Sequence, residues 1–236
     1  MAAGSGDEGP AAALIVAAGS GDRLGAGGPK ALVELCGRPM YEYALEACLG
    51  AVRIGPVVIT VPPGQAGAFE AAIRVDGVEL VEGGATRSRS VAAGLEAIDT
   101  DLVLVHDAAR PMLTPGLADA CVEALEAAPD AAAVIAAAPV TDTVKRVGTD
   151  GAVVETLDRS ELRAVQTPQV FRRAALVAAI AAGDLDNATD DAFLIESAGG
   201  TVLVHDAPSS NLKVTLPADL RLAELMLKAR NREKEC

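Results

Sequence analysis

Tryptophan is absent from this sequence, and phenylalanine and tyrosine together supply only 2% of its 236 residues. Half of the chain is nevertheless hydrophobic, so the core is built from small aliphatics, chiefly alanine and valine, packed in close layers. A disordered chain is excluded by that apolar fraction. Basic residues are also short: 20 Lys and Arg against 33 Asp and Glu leave a net charge of −13. Binding along a nucleic-acid backbone needs a basic face, so no nucleic-acid partner is expected. A phosphorylated small molecule is not excluded, because a few cations in a cleft suffice for it. The four cysteines, Cys36, Cys48, Cys121 and Cys236, form no CxxC pair and have no nearby histidine. That pattern indicates a reduced cytoplasmic protein without structural zinc. No apolar run is long enough to span a membrane, and Ala11 to Ala18 lacks the basic start of a signal peptide. No membrane partner is expected. Residues 1–12 read as a flexible leader and 231–236 as a tail.

What is present is alternation. Short β-branched runs at Leu14–Val16, Val57–Val61, Val78–Val81, Leu102–Val105 and Ala133–Ala137 are separated by helical stretches near Met40–Leu49, Gln65–Ile73, Arg87–Ile98 and Leu117–Ala127. Such a rhythm predicts a single α/β domain over 13–230, a mostly parallel sheet with helices on both faces. The rhythm breaks after Pro139. Thr143–Val147, a turn at Gly148–Gly151 and Ala152–Leu157 read as a protruding polar β-hairpin, an arm over 139–157. A two-stranded hairpin is marginal alone, so a second subunit is the natural surface for it. Helices at Ala174–Ala182, Asp190–Ser197 and Ala218–Lys228, with a strand at Thr201–Val204, complete the chain. The pentapeptide Leu104–Ala108 recurs as Leu203–Ala207, read here as chance between two strand ends.

Chemistry concentrates at strand ends. After the first strand, Ala17, Ala18 and Gly19 open a glycine loop that continues through Gly21 and Arg23 to Lys30. Glycine lets backbone N–H groups approach a phosphate closely, and two cations add charge-assisted bonds. The spacing is neither a Walker A loop nor the dinucleotide fingerprint, so by itself the loop also fits a plain strand–helix connection. After the fourth strand come His106, Asp107, Ala108, Ala109 and Arg110. A carboxylate at the carboxyl end of a parallel strand is a candidate Mg²⁺ ligand, which makes Asp107 the metal candidate; His106 reads as merely packed. Gly83 and Gly84 permit close backbone approach, and Ser90 is placed to meet a base edge. The bland alternative is a helix start capped by Ser88. Arg23, Lys30, Arg87, Arg110, Lys145, Arg159 and Lys213 all fall at strand ends or on the hairpin, as a phosphate site requires.

Taken in order, these segments resemble the 2-C-methyl-D-erythritol 4-phosphate cytidylyltransferases of the non-mevalonate isoprenoid pathway. The likeness runs from Leu14 to Leu227 through AAGxGxR…PK (Ala17 to Lys30), GGxxRxxSV (Gly83 to Val91), VHDAARP (Val105 to Pro111), APVxDTxK (Ala138 to Lys145), Asp158-Arg159, QTPQxF (Gln166 to Phe171), Thr189–Asp191 and NxKVTxPxDL (Asn211 to Leu220). The resemblance implies a Rossmann-like nucleotidyltransferase fold, Mg²⁺ as cofactor, and a homodimer joined through the arm. It implies catalytic roles for Arg23, Lys30, Arg159 and Lys213. Contacts to the nucleotide, CTP, fall to Ala17, Ala18, Gly19, Gly83, Ser90, Asp107 and Ala108. Contacts to methylerythritol phosphate fall to Asp107, Arg110, Thr143, Thr167 and Thr189, some of them from the partner chain's arm. Ribitol 5-phosphate as acceptor, and a non-catalytic nucleotide binder, remain the rival readings. Asp22 departs from relatives with a second arginine there, Gly25–Gly28 is unusually small, and Asp191 stands where glutamate is frequent.

Overall fold

The structure, a computed structural model, describes residues 10–21, 24, 27–71, 73 and 77–234. Strand β1 (Ala11–Val16) enters the glycine loop, which ends in a 3₁₀ turn at Lys30–Leu32. A small ribbon of β2 (Glu34–Leu35) and β3 (Arg38–Pro39) follows. The alternation then runs α1 (Tyr41–Leu49), β4 (Ile54–Val61), α2 (Ala66–Glu70), β5 (Val78–Glu82), α3 (Arg87–Leu95), β6 (Leu102–Asp107), α4 (Pro115–Glu126) and β7 (Ala133–Pro139). The arm comprises β8 (Lys145–Val147) and β9 (Val153–Thr156). After it come β10 (Arg163–Arg172), α5 (Arg173–Ala182), α6 (Asp191–Ser197), β11 (Val202–Asp206) and α7 (Pro217–Lys234).

Seven strands form one sheet in the order β11-β7-β10-β6-β1-β4-β5. Every neighbouring pair is parallel except the two made by β10, which runs antiparallel between β6 and β7. The mostly parallel α/β sheet expected from the sequence is therefore present. Period-two alternation divides its side chains between two cores. In β1, Ala11, Ala13 and Ile15 face the layer of α1 and α4, while Ala12 and Leu14 face α3, α5 and α6. Small residues set the layer spacing. A Cβ added at Gly94 of α3 would lie 2.3 Å from Leu14 Cδ1, so the helix rests on the strand with no side chain between them. A third cluster, with Met40, Tyr43, Val214 and Leu227, packs α7 over the ribbon.

Several boundaries differ from expectation. Ala11 and Ala12, assigned above to the leader, are fully buried and paired in β1, because they bridge β4 and β6. At the other end α7 continues to Lys234, past the expected boundary at 230. Helix α2 is only five residues long, and α3 ends at Leu95. Strand β10 was not foreseen at all. The arm is as expected in kind, a two-stranded sheet of its own, and every residue in β8 and β9 is exposed. Among the described residues no helix is long and apolar enough to cross a membrane.

Candidate active site

From β1 the chain moves outward through β4 and β5, then returns to β6 on the other side of β1. The carboxyl ends of β1 and β6 therefore flank the point where strand order reverses, the usual place for a ligand in an open α/β sheet. A cleft of about 590 Å³ opens there, lined by the loop from Val16 to Gly21, by Lys30, by Gly84 to Arg87 and by Asp107 to Ala109.

The loop is shaped by backbone bonds: Ala17 N–H donates to Thr60 C=O (2.9 Å) and Lys30 N–H to Gly19 C=O (3.2 Å). At Gly21 φ is +80°, and a Cβ there would meet Lys30 Cβ at 3.0 Å, so the turn requires glycine. Around Gly19 the corresponding space is empty, which leaves its backbone open to a ligand. Of the residues singled out in the sequence, Ala17, Ala18, Gly19, Lys30, Ser90, Asp107, Ala108 and Lys213 line this cleft. Arg23, with Asp22, Gly25 and Ala26, lies outside the described residues. Gly83 serves indirectly: a Cβ there would stand 2.6 Å from Ala18 Cβ, so it lets the two loops touch. The Ser90 hydroxyl accepts from Gly84 N–H (3.1 Å) and donates to Thr86 C=O (3.0 Å), which ties this second loop down. The cap of α3 is Thr86, whose Oγ1 accepts from Arg89 N–H, and not Ser88, which is buried.

Asp107 is the hub. Its Oδ1 accepts from Arg87 Nε (2.9 Å) and its Oδ2 from Lys213 Nζ (2.7 Å). Arg87 reaches beyond it to Asp191, the first residue of α6, which is fully buried. Burial alone would raise the Asp107 carboxyl, but the two cations outweigh it and hold the group well below the usual carboxylate range. At Asp191 burial pushes the carboxyl up against the lowering pull of Arg87.

A second cavity of about 320 Å³ adjoins the first, lined by Arg110, Thr167, Thr189 and Asp190. Arg87, Asp107 and Lys213 line both. This chamber stands on a network that joins distant segments. Arg110 Nη1 donates to Asn211 C=O (2.8 Å), and Asn211 Nδ2 donates to Thr167 C=O (2.8 Å) and Gln166 Oε1 (2.8 Å). His106, buried beneath, has its order fixed by its neighbours. Asp107 N–H donates to Thr167 Oγ1 (3.0 Å), leaving the Thr167 proton for His106 Nδ1 (3.1 Å). Nε2 then carries the ring's proton and donates to Arg110 C=O (3.2 Å). Burial lowers this imidazole to about 4, so it is a neutral bracket. Arg159 and Thr143 line neither chamber of the single chain; Arg159 donates instead to Thr141 C=O on its own arm.

Two chambers sharing a cationic wall are a site for two anionic ligands. The profile of the 2-C-methyl-D-erythritol 4-phosphate cytidylyltransferase family matches residues 11–229. The chain belongs to that family. A 2-C-methyl-D-erythritol 4-phosphate cytidylyltransferase of Frankia casuarinae is 47% identical over 219 residues, covering 92% of this chain and 80% of its own. A solved 4-diphosphocytidyl-2C-methyl-D-erythritol synthase from Anaerococcus prevotii superposes with a TM-score of 0.81 at 30% identity, over 92% of this chain and 98% of that one. The corresponding cytidylyltransferase of Thermus thermophilus gives 0.73 at 36% identity, with the same coverage.

Sequence reasoning missed the buried partners of the site. Asp191 carries no signal beyond a helix start, yet it anchors Arg87 across 104 residues. Asn211 and Gln166 were seen as motif letters, not as the brace under Arg110. No group of three potential metal ligands occurs among the described residues. Among the described residues Asp107 is the only carboxylate lining the larger cleft. That donor set suits a Mg²⁺ ion arriving on nucleotide phosphates and taking one protein carboxylate, not a dedicated protein cage.

Proposed function

We propose that this chain transfers the cytidylyl group of CTP to the phosphate of 2-C-methyl-D-erythritol 4-phosphate, releasing pyrophosphate. The observation that carries the reading is the pair of chambers divided by Arg87, Asp107 and Lys213. CTP occupies the larger cleft, with its phosphates over the glycine loop and Lys30; the acceptor occupies the smaller one, its phosphate towards Arg110. An acceptor phosphate oxygen attacks the α-phosphorus in line. A new P–O bond forms, the bond to the β-phosphate bridge breaks, and pyrophosphate carries away the electron pair. A phosphate dianion is already nucleophilic near neutral pH, so neither a general base nor a covalent enzyme intermediate is needed. Catalysis is the positioning of two anions and the stabilisation of charge that grows at the α-phosphorus. Lys30 and Arg23 serve the triphosphate, and Lys213 stands where the two anions meet. Asp107 would be the residue to hold a Mg²⁺ ion that came with the triphosphate, and such an ion would supply charge neutralisation there.

The working form is a homodimer, in which the arm carries Thr143 and Arg159 to the acceptor chamber of a second copy. The support is the exposure of the two strands that lie between Thr143 and Arg159, with three exposed valines, Val147, Val153 and Val154. A cytoplasmic setting is in keeping with the free thiols of Cys36, Cys48 and Cys121. The test is pyrophosphate release from CTP and Mg²⁺ with methylerythritol phosphate, with ribitol 5-phosphate, and with no acceptor. Release with the first is the expected result. Release with ribitol 5-phosphate alone would reassign the acceptor, and release with neither would leave a nucleotide-binding protein.

A further inference from the structure

Arg87 is the one cation of the shared wall that is fastened at both ends. Its guanidinium uses Nε for Asp107 and Nη1 for Asp191, while the Lys213 ammonium makes a single contact and is the more exposed of the two, at 39% against 24%. The four groups sum to zero charge, two cations against two carboxylates. When an incoming phosphate draws Lys213 away, Asp107 keeps Arg87 as its partner. Arg87 also belongs to two structural units at once. It is the first residue of α3, beside the Gly84–Thr86 loop of the nucleotide cleft. Asp191 opens α6 directly after Thr189 and Asp190, which line the acceptor chamber. Asp190 holds that turn by accepting from Phe193 N–H (2.9 Å) and Gln169 Nε2 (2.8 Å).

The burial of Asp191 needs a reason. Among the described residues its Oδ1 has no hydrogen-bond partner and its Oδ2 has only Arg87. A buried ion pair is poor value as a stabiliser, since well-packed apolar side chains of similar volume do as well or better. A forked cation that must hold one carboxylate at a fixed angle is a better reason, because a planar guanidinium presents N–H groups of separate nitrogens in fixed directions, which a rotating ammonium does not.

We propose that Arg87, anchored by Asp191, is a positioning residue that fixes Asp107 on the wall between the two chambers and joins the acceptor-side turn to the nucleotide-side helix. The proposal rests on the cytidylyltransferase reading above. Arg87 and Asp107 line both chambers, but the nucleotide cleft is also walled by the glycine loop, Lys30 and Ser90, so the larger effect falls on the acceptor and on turnover.

The experiment compares the native chain with Arg87→Lys, Asp191→Asn and Asp191→Glu in the pyrophosphate-release assay, with thermal melts by circular dichroism alongside. Arg87→Lys keeps the charge but loses the rigid fork of two separate nitrogens, and Asp191→Asn keeps the shape but loses the anion. Each is expected to raise the acceptor KM about tenfold and lower kcat about tenfold, with the CTP KM held within about threefold. Asp191→Glu restores the anion and is expected to recover most of the loss. The positioning role is overturned if folded Arg87→Lys and Asp191→Asn match the native kcat and acceptor KM within about twofold. It is overturned equally if the CTP KM rises as much as the acceptor KM, or if both variants fail to fold while Asp191→Glu folds, which marks a structural pair only. If Asp191→Asn alone fails to fold, Arg87→Lys decides. A native chain that releases no pyrophosphate sinks the underlying reading, and the proposal with it; a native chain that turns over beside unaffected variants sinks the proposal alone.

Discussion

The turn after β6 and the arm after β7 are both polar excursions from the sheet, and they are built in opposite ways. His106, Asp107 and Arg110 are nearly inaccessible, and their bonds run to Arg87, Thr167, Asn211 and Lys213, segments far apart in sequence. The arm bonds chiefly to itself. Lys145 Nζ donates to Thr156 Oγ1 (2.6 Å), Gly148 N–H to Ala152 C=O (2.9 Å), and the Arg146–Glu155 pair at 3.4 Å lies in solvent. One region is complete within the chain. The other displays valines and cations to solvent.

The comparison assigns chemistry to the strand ends, and the largest expected effect tests that. Lys30→Ala should lower kcat by about a hundredfold or more, on the order of 3–4 kcal/mol of barrier, in steady-state pyrophosphate release. A near-native kcat would take Lys30 out of the mechanism. Next comes the dependence of the buried turn on acid. His106 is lowered from 6.5 to about 4, so between these values the unfolded chain binds a proton that the folded chain refuses. Stability is thus full above about pH 6.5 and falls on acidification towards pH 4, by on the order of 3 kcal/mol. Urea midpoints across that range should show the slope, and His106→Phe should flatten it. Gly94→Val probes the closeness of helix and sheet; overpacking against Leu14 should cost about 1–3 kcal/mol in urea unfolding.

The arm gives the subtler test. Chains carrying Lys30→Ala, mixed with chains carrying Arg159→Ala and allowed to exchange subunits, should regain activity at about a quarter of all sites, since half of random dimers are mixed and each mixed dimer holds one intact site. No recovery would mean that each arm serves its own chain, and the comparison would fail. Least of all, Arg146→Ala should leave the urea midpoint unchanged, because an exposed ion pair on the arm stabilises little.

Strands that are apolar on both faces were legible, because a buried parallel strand is a continuous run such as Leu102–Val105. The strand-end motifs were legible too, since their residues are adjacent in sequence. Strand β10 was not. Its segment mixes Gln166, Thr167, Pro168 and Gln169 among its apolar residues, and its register against β7 shifts between Val165 and Gln169. Those polar side chains are buried because their partners, Asp107, Asp190 and Asn211, come from elsewhere, and no local pattern announces that. Asp191 escaped for the same reason. Arg159 and Thr143 were legible as family positions, yet neither lines a chamber of their own chain.

The hub at Asp107 also has an order in time. The glycine loop, β4, β5 and β6 are made first, but the cleft they flank is also lined by Lys213 and Thr215, near the end of the chain. Thr167, Asp191 and Lys213, which fasten His106, Arg87 and Asp107, come only in the last third of the chain. The wall between the two chambers is therefore closed only when nearly the whole chain has been made.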